Sequence, residues 1–318
     1  MTAYIIRRVL YAMPIALGVS IVCFTLIYLA PGNPLQTLLP ENASAETIDM
    51  IKKAYGLDKP IPVQYLTWLS RALTGDLGIS IASGRKVSEE ITRALSNTMI
   101  LATGAIGLSF SLAFILGVTA GYLNGSWADR VVTGMAVVGV SVPNYWLGML
   151  LIICFAVELQ LLPASGMGPQ GSSTFNILNP QHLQHVLLPV VTLSMIPMGI
   201  IARTTRAAVA ETLNQDFVQT LRAKGLKAQT VAGHVVKNAL PQILAVMGLQ
   251  FGYLLGGSIL VETVFTWPGT GFLLNKAILT RDIPVLQGVT LMLATFFVVT
   301  NLLVDLLQTA VNPRMQRY

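Results

Sequence analysis

Apolar residues run through this chain in long blocks. Residues 9–30, 98–123, 131–157, 186–202, 241–265 and 282–307 are nearly uncharged. Each is within or above the roughly 17–25 residues that a helix needs to cross a bilayer. The pattern predicts an all-α protein with about six transmembrane helices. The first block follows Arg7 and Arg8, as a signal peptide would. Its apolar stretch is longer than the roughly 7–15 residues of a signal-peptide core, and Pro31-Gly32-Asn33-Pro34 is no small-residue cleavage site. We read it as a first span that starts in the cytoplasm. Small residues in the second block (Gly104, Gly107, Gly117, Gly121) suit close helix approach.

The polar segments between blocks set the orientation. Residues 158–185 contain no Lys or Arg, whereas 203–237 contain six. Short loops rich in Lys and Arg stay inside, so 203–237 is assigned to the cytoplasm and 158–185 to the outside. This puts both termini in the cytoplasm. The long segment 31–97, with seven basic and seven acidic residues, is expected outside. Within it a helix is expected at 46–55 with Ser44 as its cap. A second helix is expected from Ile61, and a turn at Gly75-Asp76-Leu77-Gly78. Two regions follow: 1–97, a first span plus external region, and 98–318, a five-helix core with a cytoplasmic loop at about 208–240.

That loop is the most distinctive stretch. Asp216 is a helix N-cap candidate, and Phe217, Thr220, Leu221 and Lys224 follow at i, i+3, i+4 and i+7, with Phe217 and Leu221 on one stripe. Gly225 is a helix stop. A second short helix is expected from 228 to 239, ending at Pro241. Such a protruding helix either lies on anionic lipid or offers a handle to a soluble partner.

Composition agrees with a membrane protein: 53% of the residues are hydrophobic and 11% charged. Soluble domains carry about 25% charge. The net charge of +6 is assigned to loops facing anionic lipid, with no nucleic-acid partner expected. Cys23 and Cys154 lie inside apolar blocks and read as packing residues. His182 and His185 have i, i+3 spacing, but two ligands alone are a weak metal signal, and no metal site is expected. No Gly-x-x-x-x-Gly-Lys-Ser/Thr, Gly-x-Ser-x-Gly, His-Glu-x-x-His or Cys-x-x-Cys sequence occurs. No catalytic residue is therefore expected, and any ATP hydrolysis has to be done elsewhere.

Other candidate residues sit at span features. Pro143 and Asn144 interrupt the third block. Asn144 either lines a polar pathway or is bonded to backbone at a structural kink. Glu262 ends the fifth block as a candidate gate or substrate contact, or as a helix-end carboxylate tied to a neighbour. Asp305 is expected to pair with a basic residue such as Arg314. The midpoints of the six blocks carry no ionisable residue, which disfavours an ion-coupled secondary carrier. A passive channel stays open on these grounds.

Several motifs resemble the permease subunits of bacterial ABC importers, in their dipeptide/oligopeptide branch. They are Arg222-Ala223-Lys224-Gly225-Leu226 with Asn238-Ala239-Leu240-Pro241, Leu29-Ala30-Pro31-Gly32-Asn33-Pro34, Tyr55-Gly56-Leu57-Asp58-Lys59-Pro60, Gly75-Asp76-Leu77-Gly78, Glu262-Thr263-Val264-Phe265 and Trp267-Pro268-Gly269-Thr270-Gly271. The likeness covers nearly the whole chain. One departure is that Gln219, Thr220 and Leu221 stand where the wider family begins its loop motif with Glu-Ala-Ala. The resemblance implies the type I permease fold in a bacterial inner membrane, with a helical insertion after the first span. It implies a second homologous permease subunit, an external solute-binding protein and two ATPase subunits that bind ATP and Mg, this chain holding no cofactor. It also implies that Asp216, Phe217, Gln219, Thr220, Leu221, Arg222, Ala223, Lys224, Gly225 and Leu226 form the helix that couples to an ATPase.

Overall fold

The computed structural model describes residues 10, 14–25, 58–169, 172 and 174–311. Among these the architecture is entirely helical. The helices are α1 (Pro14–Thr25), α2 (Ile61–Leu73), α3 (Val87–Tyr122), α4 (Trp127–Ser141), α5 (Asn144–Leu151), α6 (Pro180–Leu213), α7 (Asp216–Ala223), α8 (Ala228–Val264), α9 (Thr270–Leu279) and α10 (Ile283–Val311). A π-helical stretch, Ile152–Glu158, continues α5. The helix expected at 46–55, most of the first span's flanks and Arg314 lie outside the described residues.

Helices α3, α6 and the first part of α10 (Ile283–Val304) are each long and apolar enough to cross a membrane alone. Two bent pairs qualify when each is counted as one span, giving up to five among the described residues. Side chains such as Ile115, Met135, Val138, Leu249, Leu260 and Leu303 remain exposed on the outside of the bundle. That is unfavourable in water and ordinary in lipid.

The bundle is organised on the contact between α3 and α6. A Cβ placed on Gly117 would lie 2.6 Å from Thr205 Cβ and 2.7 Å from the Ala202 carbonyl oxygen. One on Gly121 would lie 2.8 Å from Val209 Cβ and 2.9 Å from the Arg206 carbonyl oxygen, and one on Gly104 would lie 2.8 Å from Val190 Cγ2. Three glycines on one helix thus let the two backbones nearly touch, which maximises dispersion contact where lipid supplies no hydrophobic drive. Leu101, Ala105, Leu188 and Leu193 fill the gap toward one end, joined by Leu254, Val261, Phe265 and Trp267 of α8 and its following turn.

Several boundaries differ from the expectation. The third span is not one straight helix: α4 and α5 meet at 102°, broken at Val142-Pro143. Pro143 has no N–H to give to the carbonyl four residues back, and its ring bars the helical path. By contrast the short helix expected to stop at Pro241 does not stop, and α8 runs through that proline. Val231, Val235, Ala239 and Ile243 are buried at four-residue intervals on both sides of it. One continuous packed stripe outweighs a single lost hydrogen bond. Pro189 and Pro197 are accommodated inside α6 in the same way. The second span starts earlier than expected, since α3 begins at Val87 and passes unbroken through residues 97 and 98.

Gly117→Val places branched atoms where a single methyl already overlaps. It is expected to destabilise the fold by about 1–3 kcal/mol or more. Thermal unfolding in detergent should show a clearly lower midpoint for Gly117→Val and little change for Gly134→Ala, where a Cβ meets nothing within 4 Å.

Candidate functional site

Helix α7 forms one end of the bundle. Gln215 is its N-cap, so Asp216 is instead the first helical residue, with its acid in the favourable first turn. The helix closes as expected at Gly225, with φ +73°. Leu226 N–H donates to the Leu221 carbonyl (3.3 Å) and Gly225 N–H to the Arg222 carbonyl (2.9 Å), a Schellman closure. No side chain lies within 4 Å of where a Gly225 Cβ would stand, so backbone conformation alone selects the glycine.

One face of α7 is anchored. Val218 is fully buried with Ala208 and Val209 of α6 and Val231, Val235 and Ala239 of α8. Phe217, Leu221 and Leu226 pack around it, together with Phe114, Val118 and Tyr122 of α3. Phe217 and Leu221 thus share a stripe as the spacing predicts. Val218 was missed, although it stands at i, i+3 with Leu221. Asp216, Gln219, Thr220, Arg222, Ala223, Lys224 and Gly225 are exposed. The result is a short rigid helix, held by its apolar face on three long helices and presenting polar groups outward.

The opposite end is closed by a buried polar cluster around Glu262, which is fully inaccessible. Helix α9 starts beside it, and its first N–H groups need acceptors. Gly271 N–H donates to Glu262 Oε2 (2.7 Å), as does Phe272 N–H (3.3 Å), and Thr270 N–H donates to Thr98 Oγ1 (2.8 Å). Thr98 in turn donates its hydroxyl proton to Glu262 Oε1 (2.7 Å). With that single proton committed, the 3.0 Å contact between the two threonine hydroxyls has Thr270 as donor. Glu262 is therefore a helix cap supplied from another helix. Two further bonds cross the same joint: Trp267 Nε1–H to the Asn97 carbonyl (3.0 Å), and Asn97 Nδ2–H to the Pro268 carbonyl (2.9 Å).

The Trp-Pro-Gly-Thr-Gly motif now has a physical reading. A Cβ on Gly269 would stand 2.5 Å from the Glu262 carboxyl, and one on Gly271 would strike Ile259 Cα. Thr266 takes φ +50° at the end of α8, where Trp267 N–H bonds the Glu262 carbonyl (2.8 Å). Asn97 and Thr98, and the bonding role of Thr270, escaped the sequence reading because partners 164 to 172 residues apart leave no local pattern.

Pro143 and Asn144 lie at the α4–α5 break. Pro143 is the N-cap of α5 and Asn144 its first residue. Asn144 is buried, and its Oδ1 has no hydrogen-bond partner among the described residues. Its carbonyl oxygen is therefore not bonded to backbone. His182 packs edge-on against Phe175, while His185 Nδ1 sits 2.9 Å from the Ser165 carbonyl. No group of three metal-ligating side chains occurs among the described residues.

Comparison with known proteins adds two family matches. Residues 113–317 match the family described as binding-protein-dependent transport system inner membrane component. Residues 1–102 match the N-terminal region described for the same kind of membrane component. The dipeptide transport system permease protein of Alkalihalophilus pseudofirmus is 40% identical, over 99% of this chain and 100% of its own length. Glutathione transport system permease proteins of Pectobacterium atrosepticum and Escherichia coli are 38% and 37% identical, over 99% of this chain and of each relative.

Removing the Glu262 acceptor leaves buried donors unpaired. Glu262→Leu is expected to cost about 3 kcal/mol and Glu262→Gln about 1–3 kcal/mol, since the amide keeps one acceptor oxygen. Amide hydrogen exchange should report the loss first at Thr270, Gly271 and Phe272. Unchanged protection there would remove the capping role.

Proposed function

Because this chain belongs to the family of inner membrane components of binding-protein-dependent transport systems, we propose that α7 is the element through which a separate ATPase drives it. The chain is a multi-pass inner-membrane permease subunit of an ABC importer. It works with other components of a transport system. Our reading of those components is a second homologous permease, two ATPase subunits that hold ATP and Mg, and an external solute-binding protein. This chain would hold no cofactor and carry out no catalysis. Both termini and α7 would face the cytoplasm, and α9 the outside.

The observation that carries this reading is the construction of α7. A helix meant to transmit force has to be stiff, anchored and accessible. Val218, Phe217 and Leu221 supply the anchor, and the Gly225 closure fixes the end. Asp216, Gln219, Thr220, Arg222, Ala223 and Lys224 supply a polar docking face, while Leu226 seals its base. Closing of the ATPase pair would pull this end and tilt the bundle, alternately opening each side. Asn144, at the α4–α5 break, is the residue we place on the solute pathway, with Pro143 producing the bend. Glu262 would act at the gate by holding α9 in place, not by touching solute. The dipeptide and glutathione relatives support a di- or oligopeptide or a related small solute as cargo.

Cysteines at Arg222 or Lys224 are expected to crosslink to the ATPase in membranes from cells expressing the whole transporter. They should also resist a membrane-impermeant thiol reagent added outside. Failure to capture an ATPase, or labelling from outside, would overturn the assignment. Gly225→Asp should abolish uptake while the chain still inserts in the membrane. Its fold should lose only the cost of a non-glycine residue at positive φ, about 1–2 kcal/mol.

A further inference from the structure

The α7 end holds an ion pair that the coupling reading does not use. Arg206, late in α6, meets Asp129, in the first turn of α4. Its Nε–H donates to Asp129 Oδ1 (2.8 Å) and its Nη2–H to Asp129 Oδ2 (2.7 Å). This bidentate fork is the most geometrically defined form of ion pair. Arg206 Nη2–H also donates to Asn124 Oδ1 (2.7 Å) in the turn between α3 and α4. Asp129 further accepts from Gly125 N–H (2.9 Å) and the Thr133 hydroxyl (3.3 Å). The Asp129 side chain is 5% exposed and that of Arg206 31%, so the carboxylate sits inside the joint while the guanidinium covers it.

The position of the pair gives it consequence. α3, α6, α7 and α8 share one apolar cluster around Val218, so they form a single body at this end. α4 is absent from that cluster. Its first turn is tied to the body by Arg206 and by the short turn at 123–126. Its far end is the 102° break leading to Asn144. Between the two, α4 lies on α6 through small residues: a Cβ on Gly199 would stand 2.6 Å from the Ala136 carbonyl oxygen, and one on Gly139 would stand 3.4 Å from that of Met195. Val140 Cγ2 also stands 2.8 Å from that Gly199 position, so the seam is close-packed and apolar, and its contacts carry no direction of their own. A bidentate charge pair at one end fixes its register.

We propose that the Arg206–Asp129 pair is a positioning element that makes α4, and through it the break at Pro143-Asn144, travel with the coupling helix. It rests on the reading of α7 given above and assigns a separate residue pair to the transmission step. Without the pair, α7 would still dock and ATP would still be hydrolysed, but the motion would be lost in slippage between α6 and α4.

The test uses the complete transporter purified with its partner subunits, Cys23 and Cys154 replaced by alanine, and spin labels at Trp127→Cys and Lys224→Cys. Trp127 is 78% exposed and Lys224 is exposed, so both tolerate labels. With the pair intact, the 127–224 distance is expected to be one narrow distribution, the same without nucleotide and after vanadate trapping. In Asp129→Asn and Arg206→Met it should broaden or shift between the two states, a reading that needs no cargo. In proteoliposomes, uptake of a radiolabelled dipeptide per ATP hydrolysed should fall roughly fivefold or more, the low end of ordinary coupling between sites. Arg206→Lys, which keeps the charge but not the fork, should fall between, and Gly134→Ala, on α4 where a Cβ meets nothing within 4 Å, should resemble the parent. The proposal is overturned by a narrow distance in the variants, by uptake and hydrolysis falling in proportion, by a parent distance that changes on trapping, or by variants that fail to assemble. A transporter whose Lys224 crosslinks to the ATPase but whose variants stay coupled would remove this inference alone. Absence of that crosslink would remove the α7 reading.

Discussion

Helices α3 and α6 lie so close that Gly104, Gly117 and Gly121 leave no space for a methyl group. In a bilayer this contact has to come from shape, because lipid tails solvate leucine as well as protein does. A long flat seam of small residues supplies it. Once α3 and α6 are locked, the two ends of α3 are fixed points on which the other elements are built. Phe114, Val118 and Tyr122 carry α7 at one end, and Asn97 and Thr98 carry the α8–α9 joint at the other.

The two ends solve different problems. The α9 end satisfies polar groups. Short helices expose several free N–H groups, and in a buried joint each needs a partner. Glu262 and Thr98 satisfy them, and the cluster has the dense cross-helix bonding of a fixed structure. The α7 end instead hides only an apolar face and leaves polar atoms outside. That construction suits the docking role proposed for α7. Asn144 belongs to neither pattern. It is buried beside a helix break, and its side-chain oxygen has no hydrogen-bond partner among the described residues.

Much of this was legible in the order of residues. The blocks of apolar residues announced a helical membrane protein because the bilayer admits few other solutions. Gly225 announced the end of α7 because that closure needs positive φ, and among the described residues the motifs at 222–226 and 267–271 that carry the family likeness are local structures, a helix closure and a turn. The role of Glu262 was half visible: its place at a span end was plain, but not that its partners would be N–H groups of the next helix.

What the residues determined by themselves was therefore local: which stretches are apolar enough to enter lipid, where helices begin and close, and which loops carry charge. The tertiary structure decided which prolines break a helix. Pro143 does, and Pro241 does not, because the buried stripe from Val231 to Ile243 holds α8 straight through it. It also decided which charges meet, bringing Arg206 to Asp129 across 77 residues. Periodicity and propensity are sums over neighbours in the chain, whereas such choices depend on neighbours in space, which only the packed helices supply.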